Sequence, residues 1–240
     1  MSSPIPRIYV VSLASASERR ARMTERLTRL RKEEAEEGIS FELVDAVEAT
    51  DPIIERYAPG LPIGQGKRVA ACLIAHLRVI RRFLLTADDE AIVCEDDVRF
   101  ANGFGRRFQV LRSNIPDETP LVCLSYLIWR WEGYLWAGKD PSKENLCSMG
   151  PDTWGTQMYL LRRPWAEECL ERFDRPLCTI ETDDIRTAEL ITRSTMTVGG
   201  LIAYPPLAIE ELRGSVICPE AGNSNHAEVV QCWDDAAYAP

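Results

Sequence analysis

The chain has 240 residues, a size typical of a single α/β domain. Apolar residues make up 45% and charged residues 27%, which is ordinary globular composition and argues against disorder. The formal net charge of −9 argues against broad nucleic-acid binding, because an acidic surface repels a phosphate backbone. A nucleotide remains compatible with this charge, since a divalent cation can neutralise its diphosphate locally.

The sequence shows no recognisable targeting signal, and together with the cysteine usage this predicts a cytoplasmic protein with at most peripheral membrane contact. The apolar run 8–13 leads straight into the charged stretch 18–22, unlike a signal peptide, and no window is long enough to span a membrane. The eight cysteines are scattered, without a CxxC pair, and the chain has only two histidines. We therefore expect reduced thiols that pack like small apolar side chains, with Cys72, Cys94 and Cys123 inside apolar runs.

The chain opens with a strand, a helix and a second strand. Residues 8–13 (IYVVSL) form a continuous β-prone run, typical of a strand buried on both faces. Ser17 is placed to cap a helix that ends before Gly38, and residues 41–44 read as the next strand. This order predicts a parallel pair joined by a crossover.

The remaining elements continue the alternation. An apolar stripe predicts a helix over 69–84, and the short apolar run 91–94 predicts a buried strand. Residues 213–240 show little periodicity and are expected to form an irregular tail of the single domain 1–240. Together the pattern predicts a doubly wound α/β sheet, with further strands at 121–127, 155–161 and 198–204 and helices beginning at Pro164 and at Thr182 or Asp183.

Three consecutive carboxylates, Glu95, Asp96 and Asp97, directly follow the predicted strand 91–94. Open α/β sheets bind ligands at this edge, and clustered carboxylates there are costly without a cation. Mg²⁺ and Mn²⁺ prefer such oxygen ligands. If the segment stays extended, Glu95 and Asp97 point to the same side, so that one could ligate a metal and the other a ribose or a metal-bound water. A solvated acidic turn is the alternative interpretation.

Four segments resemble glycosyltransferase family 25, which contains lipooligosaccharide galactosyltransferases and collagen galactosyltransferase domains. They span residues 7 to about 211, and their order is more specific than any one motif. The segments are IYVVSLASASERRARM, GKRVAACLIAHLRVIRRFL, AIVCEDDVRF, and GTQMYLLRRPWAEECL with the later ETDD and AYPPLAIEE. The chain departs from the family at Ser12 and Ala14, where asparagine and aspartate are common, and at Ala75, where serine usually precedes the histidine.

The resemblance implies a GT-A-type, Rossmann-like fold, with a mixed, mostly parallel sheet and helices on both faces. It implies an inverting transfer of a hexose, galactose or glucose, from a UDP-sugar to a glycan or other hydroxyl-bearing acceptor, as in lipopolysaccharide biosynthesis. Mn²⁺ or Mg²⁺ is the implied cofactor, with Asp97 as principal ligand and Glu95 as a second one or close to the ribose.

The resemblance also implies a set of donor-binding residues. Arg19 and Arg20 fall in the first turn of a helix, where cations oppose the dipole, so a donor phosphate is one explanation and a solvated face another. His76 lies on an apolar stripe, as a core histidine or as one near the site. The expected set is Ser12, Leu13, Arg20, Asp45, Lys67, His76, Glu95 and Asp96.

A second acidic cluster, Glu181, Asp183 and Asp184, is the candidate source of the general base that an inverting transfer needs. A helix start, with Asp183 as its cap, is the alternative. Acceptor selection is assigned to the 134–150 loop, next to an aromatic group that can stack on sugars or pack in the core: Trp129, Trp131, Tyr134 and Trp136.

Two other functions remain open from the sequence. One is a binding module that holds a nucleotide sugar without turning it over, which the altered first segment permits. The other is a metal-dependent phosphohydrolase or nucleotidyltransferase, which would use the same acidic strand end but usually needs more histidine ligands than this chain supplies.

Overall fold

The computed structural model describes residues 4–33, 38–59, 65–128, 138–151, 153–176, 189–211 and 234–238. Its first unit is the predicted strand, helix and strand: β1 (Ile8–Ser12), α1 (Ser17–Glu33) and β2 (Phe41–Asp45). β1 and β2 are parallel, with Ile8 opposite Phe41 and Ser12 opposite Asp45. The predicted crossover is confirmed, and it brings the carboxyl ends of both strands to one edge.

The main sheet has seven strands; besides β1 and β2 they are β3 (Glu90–Glu95), β5 (Leu121–Ile128), β6 (Asn145–Ser148), β7 (Thr153–Arg162) and β8 (Leu201–Tyr204). Their order across the sheet is β2-β1-β3-β7-β5-β8-β6. β1 is parallel to β2 and β3, and β5 is parallel to β8, whereas β7 lies antiparallel between β3 and β5, and β6 is antiparallel to β8. Most strands therefore point the same way, which confirms the expected mixed, mostly parallel sheet.

Helices cover both faces of this sheet, because successive side chains on a buried strand point to opposite sides. On β1, Tyr9 and Val11 join the buried cluster that contains α3 (Gln65–Leu84) and α5 (Arg163–Phe173). Ile8 and Val10 join the opposite cluster, which contains α1 and α4 (Phe104–Arg112). The continuous apolar run of β1 is thus explained by burial on both faces.

Several short elements carry no clear sequence signal. β4 (Val98–Phe100) pairs antiparallel with β9 (Ala208–Glu210) in a separate two-stranded sheet. The others are α2 (Ile53–Tyr57), α6 (Glu189–Arg193) and a 3-10 helix at Asp235–Ala237, beyond which an isolated bridge joins Ala101 to Tyr238.

The predicted late strand, β8, starts at Leu201 rather than at residue 198. Val198 is exposed, and Gly199 has a left-handed φ of 93° that ends the extended backbone there.

Two further expectations concern membrane contact and thiols. Within the described ranges, no helix is both long and apolar enough to cross a membrane. The cysteines placed by the structure form no disulfide; Cys94, Cys123, Cys147 and Cys169 are buried as expected, and Cys72 is partly exposed. Burial raises the pKa of the Cys94, Cys123 and Cys169 thiols, which favours the neutral thiol form.

Candidate functional site

The acidic triplet lies at the edge of the sheet where β1, β2 and β3 end. Glu95 is the last residue of β3 and lies opposite Val11 in the register with β1. Asp96 and Asp97 form a turn that leads into β4, so the segment does not stay extended and the simple strand alternation ends at Glu95. The turn brings three carboxylates to the position at which open α/β sheets bind ligands.

Asp96 is held by two groups from the first strand-helix unit. The Ser12 hydroxyl donates to Asp96 Oδ2 at 2.6 Å. Arg19 Nη1 lies 3.3 Å from Asp96 Oδ1 and 3.5 Å from Asp97 Oδ2, so one guanidinium serves both aspartates. Burial raises the pKa of the Asp96 carboxyl, against the opposing effects of Ser12 and Arg19.

Of the three carboxylates, Asp97 is the one with a buried oxygen that makes no hydrogen bond. Its residue is 8% exposed, and Oδ1 is buried without a hydrogen-bond partner. Burial raises the pKa of the Asp97 carboxyl well above its usual range, and the neighbouring charges of Glu95, Glu210 and Asp96 raise it further. Arg19 opposes this shift. A buried carboxylate oxygen among like charges is a favourable place for a cation.

Glu95 lies on the face of the sheet that α3 covers, whereas Asp96 and Asp97 are contacted by Arg19 of α1. The Thr156 hydroxyl donates to Glu95 Oε1 at 2.6 Å, and His76 Nε2 lies 3.7 Å from the same oxygen. Burial disfavours the charged form of Glu95, but His76, Thr156 and Arg19 outweigh it and lower the pKa of this carboxyl. His76 is fully buried on α3 and also contacts Tyr159, so it is both a core histidine and a neighbour of the triplet.

The predicted donor residues after β1 and β2 lie close together. Ser12 pairs with Asp45 in the strand register, and Arg20 Nη1 contacts Asp45 Oδ1 at 2.7 Å and the Ser12 carbonyl oxygen at 3.5 Å. Leu13 follows Ser12 and is partly exposed. Lys67 lies at the start of α3, where its ammonium pairs with Glu55 at 3.0 Å. Contact of these residues with a donor stays a prediction.

Residues 138–150 of the predicted acceptor loop are described and contain β6 (Asn145–Ser148). The other residues predicted for acceptor chemistry lie outside the described residues. They are the candidate bases Glu181, Asp183 and Asp184 and the aromatic residues Trp129, Trp131, Tyr134 and Trp136. The predicted helix start at Thr182 or Asp183 lies there too. Their roles remain predictions.

The structure adds residues that the sequence interpretation did not select. Arg19 rather than Arg20 contacts the aspartates. Thr156 donates to Glu95 because β7 lies beside β3, and the charge of Glu210 acts on Asp97 because β9 pairs with β4. Thr156 belongs to GTQMYLL and Glu210 to AYPPLAIEE, two segments that carried the family resemblance. That membership was the one signal that pointed to them.

An α/β sheet with an acidic cluster at its ligand-binding edge is typical of enzymes that act on nucleotides. A family model described as glycosyltransferase family 25 (LPS biosynthesis protein) matches residues 5–185. This range covers most of the chain and includes the triplet. The chain belongs to glycosyltransferase family 25. Its general class is therefore that of a glycosyltransferase.

The solved structures that resemble this one are remote, so the family match carries the assignment. A glycosyltransferase involved in the glycosylation of the major capsid of PBCV-1 is 10% identical, with a TM-score of 0.49, and the match covers 95% of this chain and 100% of that chain. The inositol-1-phosphate CTP transferase from T. maritima is 11% identical, with a TM-score of 0.38 and coverage of 83% and 84%. No curated protein matches the sequence significantly.

Proposed function

We propose that this protein is a metal-dependent, inverting glycosyltransferase that moves a hexose, galactose or glucose, from a UDP-sugar to a hydroxyl group of a glycan. Mn²⁺ or Mg²⁺ would be held by Asp97, with Glu95 as a second ligand. The family match supports a glycosyltransferase, and its description supports an acceptor in lipopolysaccharide biosynthesis.

The observation that carries the metal assignment is the state of Asp97. Its Oδ1 atom is buried and makes no hydrogen bond, and the pKa of its carboxyl is raised by burial and by three neighbouring carboxylates. Arg19 is the cation that the structure places against both aspartates, and one guanidinium does not balance the local negative charge. A hard divalent cation fits this all-oxygen donor set.

The residues around the triplet have separate roles in this proposal. Ser12 donates to Asp96, and Arg19 contacts both Asp96 and Asp97. Thr156 donates to Glu95 from the other face of the sheet. Such outer contacts orient metal ligands before a substrate arrives. A bound metal ion would supply positive charge that offsets the charge developing on the departing diphosphate.

The nucleoside end of the donor is assigned to the edge formed by β1 and β2. Ser12, Leu13, Arg20 and Asp45 lie there, next to the triplet along the same edge of the sheet. Arg20 offers donors to phosphate or ribose oxygens, and Asp45 is exposed enough to accept from a ribose hydroxyl. Lys67 would have to leave Glu55 to contact the diphosphate.

Acceptor activation is assigned to Glu181, Asp183 or Asp184. In an inverting transfer, a base removes the proton of the attacking hydroxyl on the face opposite the departing diphosphate, and a carboxylate can do this. The aromatic segment 129–136 would stack on acceptor sugar rings. Both assignments rest on sequence and on the family match.

The test is UDP binding to an Asp97→Asn variant, measured by calorimetry with and without Mn²⁺. The carboxamide keeps the shape of the side chain but loses the charge that offsets a cation, so Mn²⁺-dependent binding should be abolished. Asp89→Asn is the matched control, because Asp89 is an exposed aspartate just before the opposite end of β3. It should bind UDP like the wild type.

Equal UDP affinity of Asp97→Asn and wild type in Mn²⁺ would rule out Asp97 as the ligand. A screen of nucleotide sugars, with and without glycan acceptors, tests the reaction itself. Transfer from a UDP-hexose supports the proposal. Binding without turnover would indicate a non-catalytic member, and hydrolysis without donor preference would indicate a phosphohydrolase.

A further inference from the structure

A second group of metal-binding side chains lies on the other side of Glu95. Cys72 and His76 are one turn apart on α3, so both side chains lie on the same face of that helix. One ligand atom from each of Cys72, His76 and Glu95 lies within 4.8 Å of the other two. The donor set is a thiol, an imidazole and a carboxylate, unlike the all-oxygen set around Asp97.

The His76 ring is a second, independent indication of a ligand. His76 is 0% exposed, and its Nε2 atom makes no hydrogen bond. That atom lies 3.7 Å from Glu95 Oε1, which is within ion-pair range but too long for a hydrogen bond. A buried ring nitrogen without a hydrogen bond is costly, and a metal ion is one way to satisfy it.

The other ring nitrogen already has an oxygen partner. His76 Nδ1 lies 3.0 Å from the Tyr159 hydroxyl. A ligating histidine usually donates its second N–H to an oxygen acceptor, which fixes the tautomer and the ring orientation, and the Tyr159 hydroxyl can accept this hydrogen bond. Thr156, which donates to Glu95 Oε1, orients the carboxylate in the same way. Both supporting contacts come from β7.

We propose that Cys72, His76 and Glu95 form a Zn²⁺ site. Zn²⁺ accepts mixed sulfur, nitrogen and oxygen ligands, and three protein ligands leave a fourth position for water. Cys72 and the 22% exposed side chain of Glu95 leave the cluster open to solvent on one side. Zinc bound there links α3 to the end of β3 and stabilises the folded chain.

The two sites select different ions, because thiolate favours zinc and an all-carboxylate set favours Mn²⁺ or Mg²⁺. The two sites share Glu95. The comparison between them rests on the proposed function, because it assumes the Mn²⁺ or Mg²⁺ site at Asp97. The zinc site itself is independent of that proposal, since it requires neither UDP nor transfer activity.

Cobalt is the probe, because Co²⁺ replaces Zn²⁺ and gives a near-ultraviolet charge-transfer band only when a thiolate is a ligand. Metal-stripped, full-length protein is titrated with Co²⁺ under reducing conditions without UDP. In the wild type we expect a thiolate band that disappears when Zn²⁺ displaces Co²⁺. The band should be absent in Cys72→Ala and in Cys72→Ser. Zinc affinity should fall by more than the roughly 10- to 100-fold that loss of an outer-shell partner costs.

Cys147→Ala is the matched control, because Cys147 is a thiol in β6 outside the cluster. It should keep the band and the rise in unfolding temperature with Zn²⁺, whereas the Cys72 variants should lose both. Alanine favours helix at position 72, and circular dichroism confirms folding. A wild-type protein without a thiolate band, or a band that survives in both Cys72 variants, overturns the proposal.

Asp97→Asn separates the two proposals. It should retain the cobalt-thiolate band while losing Mn²⁺-dependent UDP binding. Retained UDP binding would reject the donor site and leave the zinc site standing, and a missing thiolate band in the wild type would do the reverse.

Discussion

At the scale of single residues, the main electrostatic feature is the ionisation of Asp97. Burial and the charges of Glu95, Glu210 and Asp96 raise the pKa of its carboxyl above the usual value of 3.8. Between that value and the raised one, the metal-free native chain binds a proton that the unfolded chain does not. This proton difference makes the free energy of unfolding fall as pH rises through the interval.

Replacement of Asp97 by asparagine should remove this pH dependence. We expect metal-free Asp97→Asn to unfold at higher urea concentration than the wild type near neutral pH, because it buries no charge. The advantage should shrink as the pH is lowered through the raised pKa, where the wild-type carboxyl becomes neutral. Urea unfolding at several pH values measures it, with Asp89→Asn as the control for the same substitution at an exposed position. Equal stability of the Asp97→Asn and wild-type chains at every pH would contradict the assigned burial cost.

Arg19 and Arg20 are neighbouring residues of the same type whose partners differ. Both stand in the first turn of α1, where the sequence left a donor phosphate and a solvated face as explanations, and the family resemblance favoured Arg20. Neighbouring helix residues point roughly 100° apart about the axis, so the two guanidinium groups reach different partners. Arg19 contacts Asp96 and Asp97, and Arg20 contacts Asp45. The direction of each side chain depends on how α1 packs on the sheet.

At the scale of elements, the buried Arg26 joins α1 to β4 and to the residue that follows β9. Arg26 Nη1 donates to the Val98 carbonyl oxygen of β4 at 3.2 Å, and Nη2 pairs with Glu211 Oε2 at 3.0 Å, just after β9. The backbone N–H of Glu211 in turn donates to the Asp97 carbonyl oxygen. Arg26 therefore stabilises the backbone around the acidic turn through Val98 and Glu211.

Arg26→Met should destabilise the protein by roughly 3 kcal/mol, the low end for breaking a buried ion pair, because Arg22 remains 3.7 Å from Glu211. Methionine keeps most of the apolar volume, so the loss reports mainly the charge and the hydrogen bonds. Chemical denaturation gives the free energy of unfolding. Lys143→Met removes an exposed pair with Asp140 and should have no measurable effect. Equal effects of the two substitutions would show that Arg26 is not a structural link.

At the scale of the whole molecule, the proposed mechanism takes its base from a part of the chain distant in sequence from the triplet. If Asp183 or Asp184 removes the acceptor proton, its replacement by asparagine should slow transfer by roughly 100-fold or more. UDP binding should survive, because the proposed donor site is the acidic triplet and not this cluster. Steady-state transfer rates and UDP calorimetry on both single variants and the double variant measure the two properties separately.

The competing interpretation of that cluster makes the opposite prediction. If Asp183 only caps a helix, asparagine should replace it at a cost of about 1 kcal/mol or less, since it also caps well, and turnover should be nearly unchanged. Thermal unfolding beside the transfer rate distinguishes the two cases. Normal turnover in the double variant would remove both aspartates from the mechanism and move attention to Glu181.

Local pattern was enough to predict the main elements and the position of the triplet. The apolar runs of β1, β3, β5 and β7 and the stripe of α3 are properties of a few neighbouring residues, and so is an acidic triplet after a strand. The alternation of these elements predicted an α/β sheet, and the family resemblance added the GT-A type; the sheet and its two helical layers confirm the fold class.

Only the tertiary structure decided which side chains surround the carboxylates. β7 lies antiparallel between β3 and β5, which brings Thr156 to Glu95, and β9 pairs with β4, which brings Glu210 towards Asp97. The turn at Asp96 and Asp97, which ends the strand alternation, likewise followed from the entry of β4 into a second sheet. Strand pairing joins segments far apart along the chain, and its energy comes from contacts that form only when the whole sheet assembles, so no local pattern encodes it.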